Sequence, residues 1–251
     1  EINKPYPKSN AIINPKKESI NKESSLLCAT ALTYFFIEII IQKTKSNFKI
    51  SNFLIYVLLA TICDVMPLRK INKIIARNTI VNFKIQNNLA LNHIFEQFNL
   101  KKKLTIDDLG FLIGPIINSG GRLNKSNYGV ELLSTDNLEI IKDRSSKLIA
   151  LNNKRKILEQ IILDEIDFKK IKKENKNVII YYKDNLNEGL IGIIASRLKD
   201  YFNKPSIVIT NSNDKLKASA RSTSSYNIGY LIKSLFDNKI IDNGGGHNMA
   251  A

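Results

Sequence analysis

The chain has 251 residues, of which 43% are hydrophobic and 24% are charged. These proportions are typical of a globular protein with a sizeable core, and they exclude a disordered, collagen-like or coiled-coil chain. The apolar stretch over residues 35–41 is interrupted by Glu38 and is far shorter than the ~20 residues that cross a bilayer. Two cysteines, Cys28 and Cys63, are too few for a disulfide-stabilised fold of this size. We therefore expect a soluble, cytoplasmic protein with no membrane partner.

The balance of charge is strongly basic. The 38 lysines and arginines exceed the 23 acidic residues by 15 charges, and such an excess favours a polyanionic partner such as nucleic acid. A general enrichment in Lys, Asn and Ile accounts for part of the excess, so the few arginines are more informative than the many lysines. A guanidinium binds phosphate through two parallel hydrogen bonds, which an ammonium group cannot do. The arginines lie at positions 69, 77, 122, 144, 155, 197 and 221.

The first half of the chain predicts apolar helices. Hydrophobic residues favour buried helices over residues 24–41 and 53–63, and a third helix over residues 70–87. Another helix is expected to begin at Thr105, because a hydroxyl group there can cap it and acidic residues follow in its first turn. The glycines of residues 114–123 favour a polar loop.

The second half predicts a long helix and then a small α/β domain. Asp136 is expected to cap the helix, with Glu139 as its capping-box partner. Beyond a charged run that ends at Lys176, strands are expected to alternate with helices. The predicted strands are 178–182, 206–210 and 216–222, and the predicted helices are 189–202 and 228–236. We therefore predict an α/β fold in three parts: residues 1–135, a connecting helix over residues 136–176, and residues 177–251.

Asp64 is the first candidate for chemistry. Its carboxylate directly follows the apolar run that ends at Cys63, where an ionised group is costly unless it is paired or metal-bound. Mn²⁺ and Mg²⁺ take oxygen ligands, so an aspartate at a rigid helix end suits them. The alternative is a solvated Asp64 that caps the turn before Pro67.

Three further segments could bind phosphate. Around Asn118 and Arg122, glycines offer exposed main-chain amides beside a guanidinium. From Asn187 to Arg197, a loop leads into a helix whose glycines allow another backbone to approach and whose dipole attracts anions. Lys217, Ser219 and Arg221 alternate and so lie on one face of a strand. The alternatives are a tight turn with a surface arginine in the first segment and a solvent-facing polar strand in the third.

The most distinctive segment is Gly244, Gly245 and Gly246 followed by His247. Three glycines before the helix-forming residues 249–251 predict a backbone nest that opens into a helix N-terminus, which is an anion-binding arrangement. His247 could donate a hydrogen bond to a phosphate oxygen there. The other histidine, His93, has an apolar, helix-like context and is interpreted as structural.

Taken in chain order, these segments resemble one protein family. The motifs are Asn14-Pro15, ATICDVMPL at 60–68, GPIINSGGR at 114–122, EGLIGIIASR at 188–197, SARS at 219–222 and GGGH at 244–247. Their order and spacing resemble the RecJ family, the single-stranded-DNA-specific exonucleases of the DHH phosphoesterase superfamily, over nearly the whole chain.

This resemblance implies a two-lobed DHH-type phosphoesterase. It implies a partial first lobe, joined by the long connecting helix to a smaller α/β DHH-associated domain truncated at its end, with a DNA-cleaving cleft between the lobes. The implied activity is processive hydrolysis of phosphodiester bonds in single-stranded DNA from the 5′ end, in DNA repair and recombination. The implied cofactor is Mn²⁺ or Mg²⁺, which lowers the pKa of bound water and screens the charge of the phosphodiester.

The resemblance also implies roles for individual residues. Asp64 corresponds to a metal-ligating aspartate of the first lobe, and Asp64 and His247 are the implied catalytic residues. The implied nucleic-acid-binding residues are Asn118, Arg122, Asn187, Arg197, Ser219, Arg221, Gly244, Gly245, Gly246 and His247. Asn118 and Arg122 belong to a family loop whose role is less defined than that of the others.

Two departures from the family pattern leave alternatives open. The family's earlier metal motifs, including Asp-His-His, are expected just before Glu1, and both ends of the chain are expected to be cuts through a longer protein. Asn187 stands where the family has histidine, and an amide can neither carry positive charge nor transfer a proton. The alternatives are a DHH-type phosphodiesterase for short oligonucleotides and a non-catalytic DNA-binding scaffold.

Overall fold

The computed structural model describes residues 7–15, 24–212 and 214–251. The chain divides into two compact units. The first comprises Glu1–Ile117 and Leu132–Ser145, and the second comprises Asn118–Glu131 and Ser146–Ala251. In the described part, no helix combines the length and apolarity that a membrane crossing requires. The predicted α/β class is confirmed, since helices predominate and a small sheet lies in the second unit.

Helices build the first unit because its apolar residues recur at helical spacing. These helices are α1 (Ala29–Thr44), α2 (Leu54–Cys63), α3 (Lys70–Asn82) and α4 (Leu89–Gln97), with 3₁₀ turns at Ser24–Leu26, Ile50–Phe53 and Ile85–Asn87. The most buried of them is α2, which packs against both α1 and α3. One core cluster joins Cys28, Tyr34, Val57 and Ile75. Three of the helices were predicted, although α3 ends earlier than expected, and α4 was not predicted.

A capping box begins the next helical stretch, as predicted from Thr105. Asp108 accepts hydrogen bonds from Thr105 N at 2.9 Å and from Thr105 Oγ1 at 2.7 Å. In return, Asp108 N donates to Thr105 Oγ1 at 3.2 Å. A π-helical segment, Asp108–Ile113, then leads directly into α5 (Gly114–Arg122).

The predicted polar loop over residues 114–123 is therefore wrong, because these residues form a helix. Its glycines permit close packing. A Cβ atom at Gly114 would lie 2.7 Å from Cys63 Sγ, and one at Gly120 would lie 2.6 Å from the carbonyl oxygen of Lys125. Neither glycine has a positive φ, so glycine is needed at these positions for space and not for a left-handed turn.

The predicted connecting helix is in fact two helices. They are α7 (Leu138–Asp164) and α8 (Phe168–Glu174), and α6 (Asn127–Leu133) precedes them. Asn137 caps α7, because its Oδ1 accepts from Glu139 N at 2.9 Å and Ile140 N at 3.3 Å. The prediction that Asp136 is the cap is therefore wrong by one residue. Asp167 starts α8 anew by accepting from Lys170 N at 2.9 Å.

The sheet of the second unit follows the predicted alternation of strands and helices. Its strands are β1 (Ile179–Tyr182), β2 (Ser206–Ser212) and β3 (Lys215–Arg221), and its helices are α9 (Glu188–Phe202) and α10 (Ile228–Asp237). The sheet has the order β1-β2-β3. β1 and β2 are parallel, as a crossover through α9 requires, and β2 and β3 are antiparallel. The core under α9 includes Leu190, Ile194, Leu198 and Val208.

The end of the chain extends this sheet. Ala251 N donates to Ala220 O at 3.0 Å, and Ala220 N donates to Ala251 O at 2.7 Å. Ala250 forms bridges with both Arg221 and His247. The predicted helix start after Gly246 is therefore wrong, because the outer edge of β3 takes up the main-chain groups of these residues.

Candidate anion-binding site

An open cavity of ≈ 600 Å³ lies in the second unit. The end of α5, the first turn of α9 and the second half of β3 form its wall. Its polar side chains belong to Asn118, Arg122, Glu188, Ser219 and Arg221, and Gly121, Gly189 and Gly192 complete the lining. The structure thus brings together in one cavity four side chains that the sequence analysis assigned to nucleic-acid binding, although they come from distant parts of the chain.

Arg122 lies at the end of α5 and is anchored to α9. Its Nη1 donates to the main-chain oxygen of Gly189 at 2.9 Å. Burial lowers the pKa of the Arg122 guanidinium, and the nearby charges of Arg155 and Arg221 lower it further, while Glu159 opposes them. Arginine nevertheless stays protonated in proteins. Burial is the main cause of this lowering, and the smaller contributions of Arg155 and Arg221 show that two further positive charges lie close to Arg122.

Ser219 and Arg221 share one face of β3, because alternate residues of a strand point to the same side. Arg221 Nη1 donates to Ser219 Oγ at 3.1 Å and to the main-chain oxygen of Ala220 at 2.8 Å. These bonds hold the guanidinium beside the hydroxyl group, and burial lowers the pKa of Arg221. On the same face, Lys217 is paired with Glu188 at 2.6 Å.

The first turn of α9 contributes glycines and the positive end of the helix dipole. Asn187 is its N-cap, and its Oδ1 accepts from Gly189 N at 2.9 Å. The N-terminus of a helix carries partial positive charge and attracts anions. A Cβ atom at Gly192 would lie 2.9 Å from Arg221 Nη2 and 3.1 Å from Ser219 Oγ. Glycine at 192 thus leaves room for these two side chains.

Arg197 is not among the residues that line the cavity. Its Nε donates to Glu159 Oε1 at 2.7 Å. Glu159 Oε2 also accepts from Arg155 Nη1 at 2.9 Å. Neither α7 residue was assigned to a site from the sequence, although their spacing of four is typical of helical ion pairs and could have indicated them.

The triple glycine and His247 also lie outside the cavity lining. None of the glycines has a positive φ, and a nest requires left-handed backbone, so the predicted nest is wrong. His247 is exposed, and its main-chain N–H donates to Ala250 O at 2.7 Å. A Cβ atom at Gly229 would lie 2.5 Å from His247 O, so this segment packs closely on the start of α10.

Asp64 directly follows α2, as predicted. Its main-chain N–H donates to Ala60 O at 2.9 Å and its side chain is exposed. A single exposed carboxylate fits one coordination position of a hard cation. However, the described residues contain no group of three or more His, Cys, Asp or Glu side chains that could hold a metal ion. The described residues therefore do not form a complete metal site, and the role of Asp64 as a ligand stays a prediction.

The cavity can bind an anion through several kinds of donor. Two guanidiniums, a hydroxyl group and a helix N-terminus surround it, and all of them are suited to phosphate oxygens. Its acidic residue, Glu188, is ionised at neutral pH, because hydrogen bonds from Lys217 and then Ser212 lower its pKa. Lys217 compensates the negative charge of Glu188. The two arginines therefore make the net charge of the cavity positive.

Comparison with known proteins assigns relatives to this chain. Residues 175–251 match the DHHA1 domain family. The chain is 29% identical, over 98% of its length, to the single-stranded-DNA-specific exonuclease RecJ of Haemophilus influenzae, and 28% identical to that of Escherichia coli. The crystal structure of RecJ in complex with Mg²⁺ from Thermus thermophilus has a TM-score of 0.65 and 22% identity, and the match covers 77% of this chain and 30% of that one. This structural likeness shows the fold.

The chain spans about half the length of the curated relatives it matches, since the alignment covers 46% of the Haemophilus and Escherichia proteins. Over 98% of its own length, however, the chain is similar to RecJ proteins. The predicted resemblance to RecJ is confirmed.

Proposed function

We propose that this RecJ homologue binds the phosphate backbone of single-stranded DNA in the cavity of its second unit. We propose further that it belongs to a metal-dependent exonuclease that degrades such DNA processively from the 5′ end, in DNA repair and recombination. The observation that carries the proposal is that Arg122, Ser219 and Arg221 line one cavity beside the first turn of α9. The relatives support it, because they are named single-stranded-DNA-specific exonucleases.

The donors of the cavity suit the oxygens of a phosphodiester. The guanidiniums of Arg122 and Arg221 each offer paired N–H groups that match two phosphate oxygens. The Asn118 amide adds an uncharged donor, and Ser219 Oγ, which donates to Ala251 O over a long 3.3 Å, adds a hydroxyl group that can turn to a ligand. We also propose contacts with neighbouring nucleotides, which are made by Asn187, Arg197, the triple glycine and His247. In these contacts His247 donates to a phosphate oxygen.

We also propose Mn²⁺ or Mg²⁺ as the cofactor, with Asp64 as one ligand. Such ions, when bound, supply a hydroxide at neutral pH and screen the charge of the phosphodiester. Asp64 suits the role because it is an exposed oxygen donor at the end of a well-packed helix. Since the described residues provide no cluster of ligands, we expect this chain to bind DNA better than it cuts it.

Binding to a 5′-labelled oligonucleotide, measured by fluorescence anisotropy at several salt concentrations, tests the proposal. We expect the single strand to bind more tightly than the same sequence as a duplex. The logarithm of the binding constant should fall by about 0.7 per contacted phosphate for each tenfold rise in salt. Binding that does not depend on salt, or a preference for very short oligonucleotides, would contradict the proposal.

Two matched variants assign the binding to the cavity. Arg221→Gln removes a charged donor from the cavity and should weaken binding about tenfold or more, the usual effect of losing a charged hydrogen bond. Arg77→Gln removes the same charge from the exposed face of α3 in the first unit and should change the affinity by less than about twofold. Equal losses for the two variants would show that the cavity is not the binding site.

A further inference from the structure

Glu159 is a buried carboxylate shared by two arginines of the second unit. Its side chain is 8% exposed. Oε2 accepts from Arg155 Nη1 at 2.9 Å, and Oε1 accepts from Arg197 Nε at 2.7 Å. Arg155 also donates from Nε to Asn152 Oδ1 at 3.1 Å. Each oxygen of the carboxylate is therefore bonded to a different guanidinium.

This arrangement connects two elements of the unit. Arg155 and Glu159 lie on α7, while Arg197 lies on α9, five residues beyond Gly192 in the cavity lining. Removing a buried carboxylate from water is costly, and only good geometry and several hydrogen bonds offset that cost. A buried ion pair is therefore weak evidence for a purely stabilising role.

The shared carboxylate also acts on the cavity through its charge. Arg155 lowers the pKa of Arg122, and Glu159 raises it. Both groups therefore lie within electrostatic reach of an arginine that lines the cavity. Arg197 is bonded to Glu159 through Nε, which directs the rest of its guanidinium. Its side chain is 59% exposed, so its Nη groups are available to an anion in solvent.

We propose that Glu159 is a positioning residue, which holds Arg197 through Nε so that its Nη groups meet a backbone phosphate next to the one in the cavity. The proposal rests on the proposed binding of single-stranded DNA. Arg155 contributes by fixing the second carboxylate oxygen. A long, exposed arginine that is already oriented loses less side-chain freedom when it binds, and this raises affinity.

A purely electrostatic role for Glu159 gives the opposite expectation. If the carboxylate only reduced the positive charge of the site, Glu159→Gln would raise the net charge by one and tighten DNA binding. If it positions Arg197, the same variant releases that side chain and weakens binding in spite of the added charge. The sign of the change therefore separates the two roles.

The experiment compares Glu159→Gln with Glu165→Gln in the single-strand anisotropy assay. Glu165 follows α7 and pairs with Lys183, so its variant makes the same change of charge without touching Arg197. We expect Glu159→Gln to bind about threefold to tenfold more weakly, the effect of ordering one long side chain. We expect the slope of the logarithm of its binding constant against the logarithm of salt concentration to decrease in magnitude by about 0.7, which corresponds to one phosphate contact. We expect Glu165→Gln to behave as the wild type.

A second variant tests the proposal while Glu159 and its bond to Arg155 stay in place. Arg197→Lys keeps the charge of an exposed side chain, but a single ammonium cannot bond Glu159 and a phosphate as the two ends of a guanidinium can. We expect Arg197→Lys to lose as much affinity as Glu159→Gln, and the double variant to lose no more than either one. Wild-type affinity for Arg197→Lys, or additive losses, would overturn the proposal.

The controls separate this inference from the proposed function. If the wild type does not bind single-stranded DNA in a salt-dependent way, both fail. If the wild type binds but folded Glu159→Gln, checked by thermal unfolding, binds equally well or more tightly, the positioning role alone fails.

Discussion

The carbonyl oxygen of Gly189 accepts a hydrogen bond from Arg122 Nη1 at 2.9 Å, and a Cβ atom at Gly189 would lie 2.7 Å from the Cα of Arg122. The end of α5 and the beginning of α9 are thus in direct main-chain contact. This contact places a guanidinium beside a helix N-terminus in the wall of the cavity. It is possible because residue 189 has no side chain.

Alanine at positions 189 and 192 should therefore act in different ways. At Gly189 the added Cβ atom meets the main chain of Arg122, which cannot move aside, so we expect Gly189→Ala to destabilise the protein by about 1–3 kcal/mol. At Gly192 it meets the ends of the Arg221 and Ser219 side chains, which can move. Gly192→Ala should therefore leave stability within about 1 kcal/mol and weaken DNA binding.

Gly121→Ala is the control for both variants. Gly121 is helical and lines the cavity, but a Cβ atom there would have no neighbour within 4 Å. Chemical denaturation and DNA binding of the three variants can be measured in parallel. If Gly189→Ala were as stable as Gly121→Ala, the main-chain contact between α5 and α9 would not be as close as described.

The elements of the second unit could be predicted from the sequence because local signals agree there. The three strands and the helices α9 and α10 lie within two residues of their predicted bounds. Apolar β-branched runs, turn residues and amphipathic spacing each indicate the same assignment in this region. Consistency between such signals is what makes a local prediction reliable.

Two of the errors occur where glycine has a tertiary role. Gly114 and Gly120 suggested a loop, yet both lie in α5, because neighbouring atoms occupy the space that a side chain would need. That close approach is a property of the fold and leaves no periodic trace in the sequence. The triple glycine led to the opposite error, since its predicted nest and helix gave way to sheet pairing at Ala250 and Ala251.

The candidate site could be predicted in part. The arginines at 122 and 221 were singled out because arginine is scarce in this chain, and both line the cavity. Glu159 was missed because a single acid in a charged helix looks like a solvated residue until the fold buries it. The assignments of Asp64 and His247 to catalysis stay predictions.

Asn187 stabilises the N-terminus of α9 and should also influence the cavity. Asn187→Ala removes the acceptor for Gly189 N, and we expect a loss of about 1 kcal/mol, as for other helix caps. The first turn of α9 lines the cavity, so DNA affinity should fall as well. The matched control is Asn137→Ala, which removes the cap of α7, where Oδ1 accepts from Glu139 N at 2.9 Å.

Thermal unfolding and anisotropy measure the two effects separately. Both variants should lose stability, and only Asn187→Ala should lose affinity. A similar loss of affinity in both would indicate a general effect of destabilisation.

Asp64 can be tested as a metal ligand without measuring cleavage. Mn²⁺ broadens the amide resonances of residues close to its binding site, and we expect broadening around Asp64 that disappears in Asp64→Asn. Because the carboxylate is exposed, the variant should stay within about 0.5 kcal/mol of wild-type stability. Asp136→Asn, at another exposed aspartate, should keep the broadening. Line broadening that persists in Asp64→Asn would exclude Asp64 as a ligand.

Asp108 should make the stability of the protein depend on pH. Burial alone would raise the pKa of its carboxyl group, but hydrogen bonds from Lys102 and Thr105 outweigh burial and hold the pKa below its usual value. A lowered pKa in the folded state means that the ionised form stabilises the fold. This contribution is complete above the unfolded pKa of about 3.9 and is lost as the pH falls through the lower folded pKa.

Asp108→Asn should consequently be less stable than the wild type at neutral pH, by about 1–3 kcal/mol for the loss of charged hydrogen bonds. The difference in stability between the variant and the wild type should shrink as the pH falls below 4 (roughly the unfolded pKa), because the wild-type carboxyl group is then uncharged, like the amide of the variant. The neighbouring Asp107 is exposed, and Asp107→Asn should follow the wild type at every pH. Urea unfolding across this pH range measures all three proteins, and a constant difference between Asp108→Asn and the wild type would show that the carboxylate does not titrate with folding.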